Sequence, residues 1–284
     1  MEILREGFFT GERALYNLSF AKIYDSVFAD GESPLKESDN IKIVNSIFKW
    51  KYPLWYSSDI SAEKTTLLET ARSGIWYTKR INMTDCTIEA PKTFRRSSDI
   101  NLQRCVMPIA QETLWYCKNI TLKDVSAKGD YFGLSAENVY ADSFTLNGNY
   151  AFDGGENIEI NNSRLISKDA FWNCKNVVVR NSTIIGEYLG WNSENVTFID
   201  CVIESNQGLC YMDNVRLVNC KLLRTDLAFE FSSVDADIKS NIISVKNPIS
   251  GRINAHGVGE IILDKNLIDP SKTKISISEE KDEL

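Results

Sequence analysis

The chain has 284 residues, 43% hydrophobic and 25% charged, and its 32 Lys and Arg against 39 Asp and Glu leave a formal net charge of −7. Without a basic block, that balance argues against nonspecific electrostatic binding to nucleic acid or to an anionic membrane. No apolar run approaches the length of a membrane span, and the first seven residues form neither a basic leader nor an apolar stretch, so the expectation is a soluble, cytoplasmic protein.

In chain order, residues 1–18 read as an N-terminal cap. An aliphatic anchor then returns at Ala21, Ile41, Ile60, Ile81, Ile100, Ile120, Val139, Ile158, Val177, Val196 and Val215, and less regularly at Ala236 and Ile261. The repeat is plainest in Glu156-Asn157-Ile158-Glu159-Ile160, Lys175-Asn176-Val177-Val178-Val179, Glu194-Asn195-Val196-Thr197-Phe198 and Asp213-Asn214-Val215-Arg216-Leu217. Apolar residues at the anchor and two beyond it describe a short strand with one buried face. The Asn before the anchor suits a left-handed corner, and stacked amides can hydrogen-bond along a column. A sustained period near 20 means stacked units that cannot bury their apolar faces alone. The expected fold is all-β, a single right-handed parallel β-helix domain of about 12–13 coils. Coils fill residues 19–268, and a last strand around Ile275-Ser276-Ile277 with a charged tail closes 269–284. The final step, Ala236 to Ile261, leaves room for an insertion.

Seven cysteines, Cys86, Cys105, Cys117, Cys174, Cys201, Cys210 and Cys220, follow the repeat and include no C-x-x-C pair. They are expected as small, buried, reduced side chains, and neither a metal nor another cofactor is expected. The terminal Lys281-Asp282-Glu283-Leu284 matches an endoplasmic-reticulum retrieval sequence, but without a leader it is taken as a coincidence.

The Asn column and the strand pattern resemble the right-handed parallel β-helix proteins of the pectate-lyase-like group. More narrowly, Gly74-Ile75-Trp76-Tyr77, Lys168-Asp169-Ala170-Phe171-Trp172-Asn173 and Gly186-Glu187-Tyr188-Leu189-Gly190-Trp191-Asn192 resemble an uncharacterised bacterial family of that fold. The resemblance implies a fold and no agreed activity. Polygalacturonase motifs are absent, and the only histidine, His256, lies far from the aromatic columns in sequence.

Trp55, Trp76, Trp115, Trp172 and Trp191 stand five residues before their anchors, a column that also holds Arg95 and Asp153. One residue earlier runs a second apolar column with Leu54, Phe94, Phe152 and Phe171. Neighbouring residues of a strand face opposite ways, so one column is expected outside, and the sequence leaves open which. An exposed aromatic column would suit an oligosaccharide lying along a strand face, or an interface between copies of the chain. The expected contact residues are Trp55, Trp76, Arg96, Trp115, Tyr116, Phe152, Trp172, Asn173, Trp191, Asn192 and Tyr211. Glycoside hydrolysis needs two carboxyls a short distance apart, which neighbouring coils can supply. Asp153 with Asp169 is the first choice and Asp169 with Glu187 the second, while Arg95, Arg96, Lys92 and Arg72 are the candidate bases for a lyase. Whether the protein is an enzyme stays open: a carbohydrate-recognising hydrolase or lyase on one side, and a non-enzymatic scaffold docking a protein or its own copy on the other.

Overall fold

A computed structural model describes residues 2–278; the charged tail beyond them lies outside the described residues. The chain is an all-β parallel β-solenoid, and it divides into two compact units, one ending at Gly148 and one starting at Asn149. Within each unit, strands of successive coils pair in parallel and in register. Ala21, Ile41, Ile60, Ile81, Ile100, Ile120 and Val139 align in the first, and Ile158, Val177, Val196 and Val215 in the second. These anchors and the residues two beyond them are buried, as strand alternation requires.

Two expectations are corrected. Residues 1–18 are not a separate cap: Glu2–Arg5 and Phe8–Phe9 pair with Ala21–Tyr24 and Val27–Phe28 as a further coil. The anchor after Val215 is Val234 rather than Ala236, and the next is Gly251 rather than Ile261. The coil there shortens and its strands lengthen to Ser233–Lys246 and Ser250–Ile262, so no insertion is needed. One of the two columns was expected outside, and it is the tryptophan column, since Leu54, Phe94, Phe152 and Phe171 are buried. The residue after each column tryptophan is left-handed, with φ of 56° at Tyr56, 58° at Tyr77, 54° at Asn173 and 57° at Asn192. One left-handed residue turns the chain by a corner, so two consecutive side chains point out while Leu54 and Ser57, on either side, both point in. The phenylalanine column therefore lies inside and the tryptophan column outside.

The corners are held by side chains in register. Asn176 donates to Asn157 at 3.0 Å, Asn195 to Asn176 at 3.2 Å and Asn214 to Asn195 at 2.9 Å. A second corner column, four residues past the anchor, includes Asn181 donating to Asn162 and Asn219 to Asp200. Inside, small residues three before the anchor bond the carbonyl of a neighbouring coil: Ser97 to Ile75 at 2.9 Å, Ser193 to Phe171 at 2.6 Å and Cys174 to Phe152 at 2.9 Å. All seven cysteines are buried and unpaired. Burial pushes the Cys117 and Cys210 thiols up to about 12.

Asn195→Ala tests the ladder. It removes two amide contacts and leaves a side chain without local polar compensation at φ 55°. The expected loss is roughly 1–2 kcal/mol by urea unfolding, and less for Asn195→Gly, since glycine adopts that conformation freely. Equal losses would refute the backbone part of the argument.

Candidate functional site

The column tryptophans are half-buried, and each indole N–H is committed. Trp55 donates to the Ser73 carbonyl, Trp76 to Lys92, Trp115 to Tyr131, Trp172 to Tyr188 and Trp191 to Gln207, at 2.5–2.8 Å. Every acceptor is itself a left-handed corner residue. The left-handed turn directs its carbonyl outward, and the indole of the preceding coil satisfies it. The rings also stack on one another: Trp55 on Trp76 at 5.2 Å and 8°, Trp172 on Trp191 at 5.9 Å and 14°. Their faces are thereby directed at neighbouring rings and largely their edges at solvent.

Arg95 occupies a tryptophan's place. Its guanidinium lies 4.6 Å from the Trp76 ring and 4.5 Å from the Trp115 ring, continuing the stack by cation–π contact. Its counter-ion is Glu112, 3.6 Å away, which stands at the corner where a tryptophan would bond a carbonyl. Arg95 is therefore a rung of the ladder, paired and sandwiched, rather than a free base. Arg96 and Tyr116 are exposed beside it, with Arg96 5.7 Å from the Tyr116 ring. Tyr56 and Tyr77 stack at 4.8 Å and 5°, extending this outer edge.

Asp153 also replaces a tryptophan, and here the corner residue at the tryptophan's interval, 16 residues on, is a second acid, Asp169. Asp169 is 2% exposed and left-handed, with φ 57°. Its Oδ1 is buried without a hydrogen-bond partner. Burial pushes its carboxyl above the ordinary value; Glu187 and Asp153 add to the rise, while Lys168 and a hydrogen bond from Tyr150 oppose it. Asp153 is the more open of the two and accepts from Asn173 at 2.9 Å, and Asn173 in turn accepts from Asn192 at 2.8 Å. Trp172 lies edge-on to Tyr150, and Tyr211 is tilted 5.0 Å from Trp191.

The structure thus brings Asp153, Asp169, Trp172, Asn173, Trp191, Asn192 and Tyr211 into one neighbourhood of the second unit. Glu187 is exposed and pairs with Lys168 at 3.4 Å, so it acts on Asp169 as a surface charge. Phe152 is a correction: it is fully buried and stacked 6.0 Å from Phe171, out of reach of any ligand. Sequence reading missed Tyr150 and Lys168. The signal that relates them is the spacing: column tryptophans reach a corner 16 residues on in four-coil-regular stretches such as Trp172 to Tyr188, and Asp153 to Asp169 has the same interval.

Parallel coils in register around aliphatic columns define a parallel β-helix protein. Over residues 2–276 the sequence matches the family described as a protein of unknown function (DUF3737), and the chain belongs to that family. No curated protein matches it. Among solved structures, it is similar to full-length QnrB1, a plasmid-mediated fluoroquinolone resistance protein, at 12% identity over 69% of this chain and 93% of that one, with a TM-score of 0.37. It is similar to PfbA, a surface adhesin of Streptococcus pneumoniae, at 9% identity over 81% and 72%, with a TM-score of 0.37. The A-module of the Azotobacter vinelandii mannuronan C-5 epimerase AlgE4 is similar at 10% identity over 97% and 90%, with a TM-score of 0.29. None of these likenesses bears on activity.

Proposed function

We propose that this β-helix is a carbohydrate-acting protein whose second unit cleaves a glycosidic linkage, with Asp169 as proton donor and Asp153 as its partner carboxylate. The observation that carries the reading is the Asp169 carboxyl, buried, with one oxygen unpartnered and its proton held more tightly than usual. Two carboxyls in unlike environments, one buried and one open, form the pattern that separates an acid from a base. The Asn173 and Asn192 amides and the Tyr211 ring would meet the sugar hydroxyls beside the acids.

The test is reducing-end release from a panel of neutral and uronic oligosaccharides. Asp169→Asn and Asp153→Asn are each expected to lower turnover at least a hundredfold while leaving ligand affinity within a few-fold. Turnover that survives both substitutions would remove the acid pair from the mechanism.

A second reading draws on the first unit. There the stacked indoles offer edges rather than open faces, and Tyr56 and Tyr116 are about half exposed. That edge suits docking of a second copy of the chain. Light scattering that finds a monomer at every concentration would dismiss it.

A further inference from the structure

Five tryptophans are locked into the ladder, and the sixth, Trp50, is not. Among the described residues its ring stacks on no other aromatic ring, its indole N–H has no acceptor, and it is 38% exposed. It lines a groove of about 270 Å³ with Lys51, Glu69, Thr70, Arg72 and Pro91. The groove exists because the coil from Ile60 to Ile81 carries extra residues, which fold into the 3₁₀ turn Glu69–Ala71, the only helical turn described in the first unit. Insertions in a repeat fold map to loops on one face, often the binding face.

The charges there are unspent. Among the described residues, Arg72 is exposed and makes no ion pair, and Glu69, three residues before it, makes none either. Lys51 is held by Glu32 at 3.0 Å and lies 5.3 Å from the Trp50 ring, so it closes one side of the indole. An open indole, a free guanidinium and a free carboxylate side by side complement a ring with an apolar face, a carboxylate and hydroxyls. The guanidinium fork matches a carboxylate in two-point contact, the indole covers the ring's C–H face, and Glu69 accepts from hydroxyls.

We infer that the groove at Trp50 is a binding site for a carboxylated sugar, a hexuronic acid residue of an oligosaccharide. The site stands on residues of the first unit alone and does not depend on the acid pair of the second. Calorimetric titration of the full chain with trigalacturonate, and with maltotriose as the neutral control, tests it. Trigalacturonate should bind at least tenfold more tightly than maltotriose, and Arg72→Gln should abolish that preference. Trp50→Ala and the milder Trp50→Phe should weaken binding by tenfold and by less, with circular dichroism unchanged. Equal binding of the two sugars, binding indifferent to Trp50→Ala or Arg72→Gln, or no binding of trigalacturonate would overturn the assignment.

Discussion

Asp169→Asn should raise the melting temperature of the protein while it abolishes turnover. The wild-type carboxyl is buried with one oxygen unpartnered, and burial holds its proton above the ordinary carboxylate value. A group whose pKa is raised by folding gives its full stabilisation below the unfolded value, about 3.9, and loses it as pH climbs through the folded value. Above that folded value the ionised side chain therefore opposes folding. An amide of the same shape carries no charge and removes that penalty, which is expected to add roughly 1 kcal/mol, or about 2–4 °C. The gain should shrink towards zero as the pH is lowered below the carboxylate range, because the wild-type carboxyl is then neutral in both states. Scanning calorimetry of the two proteins across that range checks the sign. A variant less stable than wild type at neutral pH would show that Asp169 is a structural anchor.

The second large effect belongs to Trp76→Ala. That change removes a half-buried indole, leaves the left-handed Lys92 carbonyl without its donor, and opens both the Trp55 face and one side of the Arg95 guanidinium. Lost burial, hydrogen bond and cation–π contact together are expected to cost about 3 kcal/mol. Tyr77→Ala, at the outer edge next to it, should cost well under half of that. Denaturant unfolding of the two variants distinguishes a structural ladder from a ligand platform. If Trp76→Ala left stability untouched and removed sugar affinity, the committed N–H and the stacked faces would have been misread.

The fold was legible because three signals coincide at a fixed interval: an Asn at the corner, an aliphatic anchor, and a second aliphatic two residues on. The last coils were lost where that interval changes, since the Val234 to Gly251 coil is two residues shorter than the repeat and puts a glycine where an aliphatic stood before. The outside of the aromatic columns was illegible for a different reason. Two left-handed corners, one after each tryptophan and one three residues before it, are filled by Tyr, Ser, Glu and Asp as well as by Asn173 and Asn192, so composition does not mark them consistently. Strict alternation then fails without warning. Asp153 and Asp169 were visible as acids on neighbouring coils, but not the mismatch between them, which follows only once a tryptophan's reach to the corner is known. Trp50 could be told from the other five by its place in the repeat, though its free face could not.

The claim on which the site rests is that Asp169 keeps its proton to a higher pH than an ordinary aspartate. Carboxyl-carbon NMR of protein labelled at aspartate, with the Asp169→Asn spectrum to assign the signal, measures this in the folded chain. A midpoint above the ordinary value of about 3.9, moving down when Asp153 is replaced by asparagine, is the predicted result. A midpoint at or below that value would contradict the assignment of Asp169 as the acid.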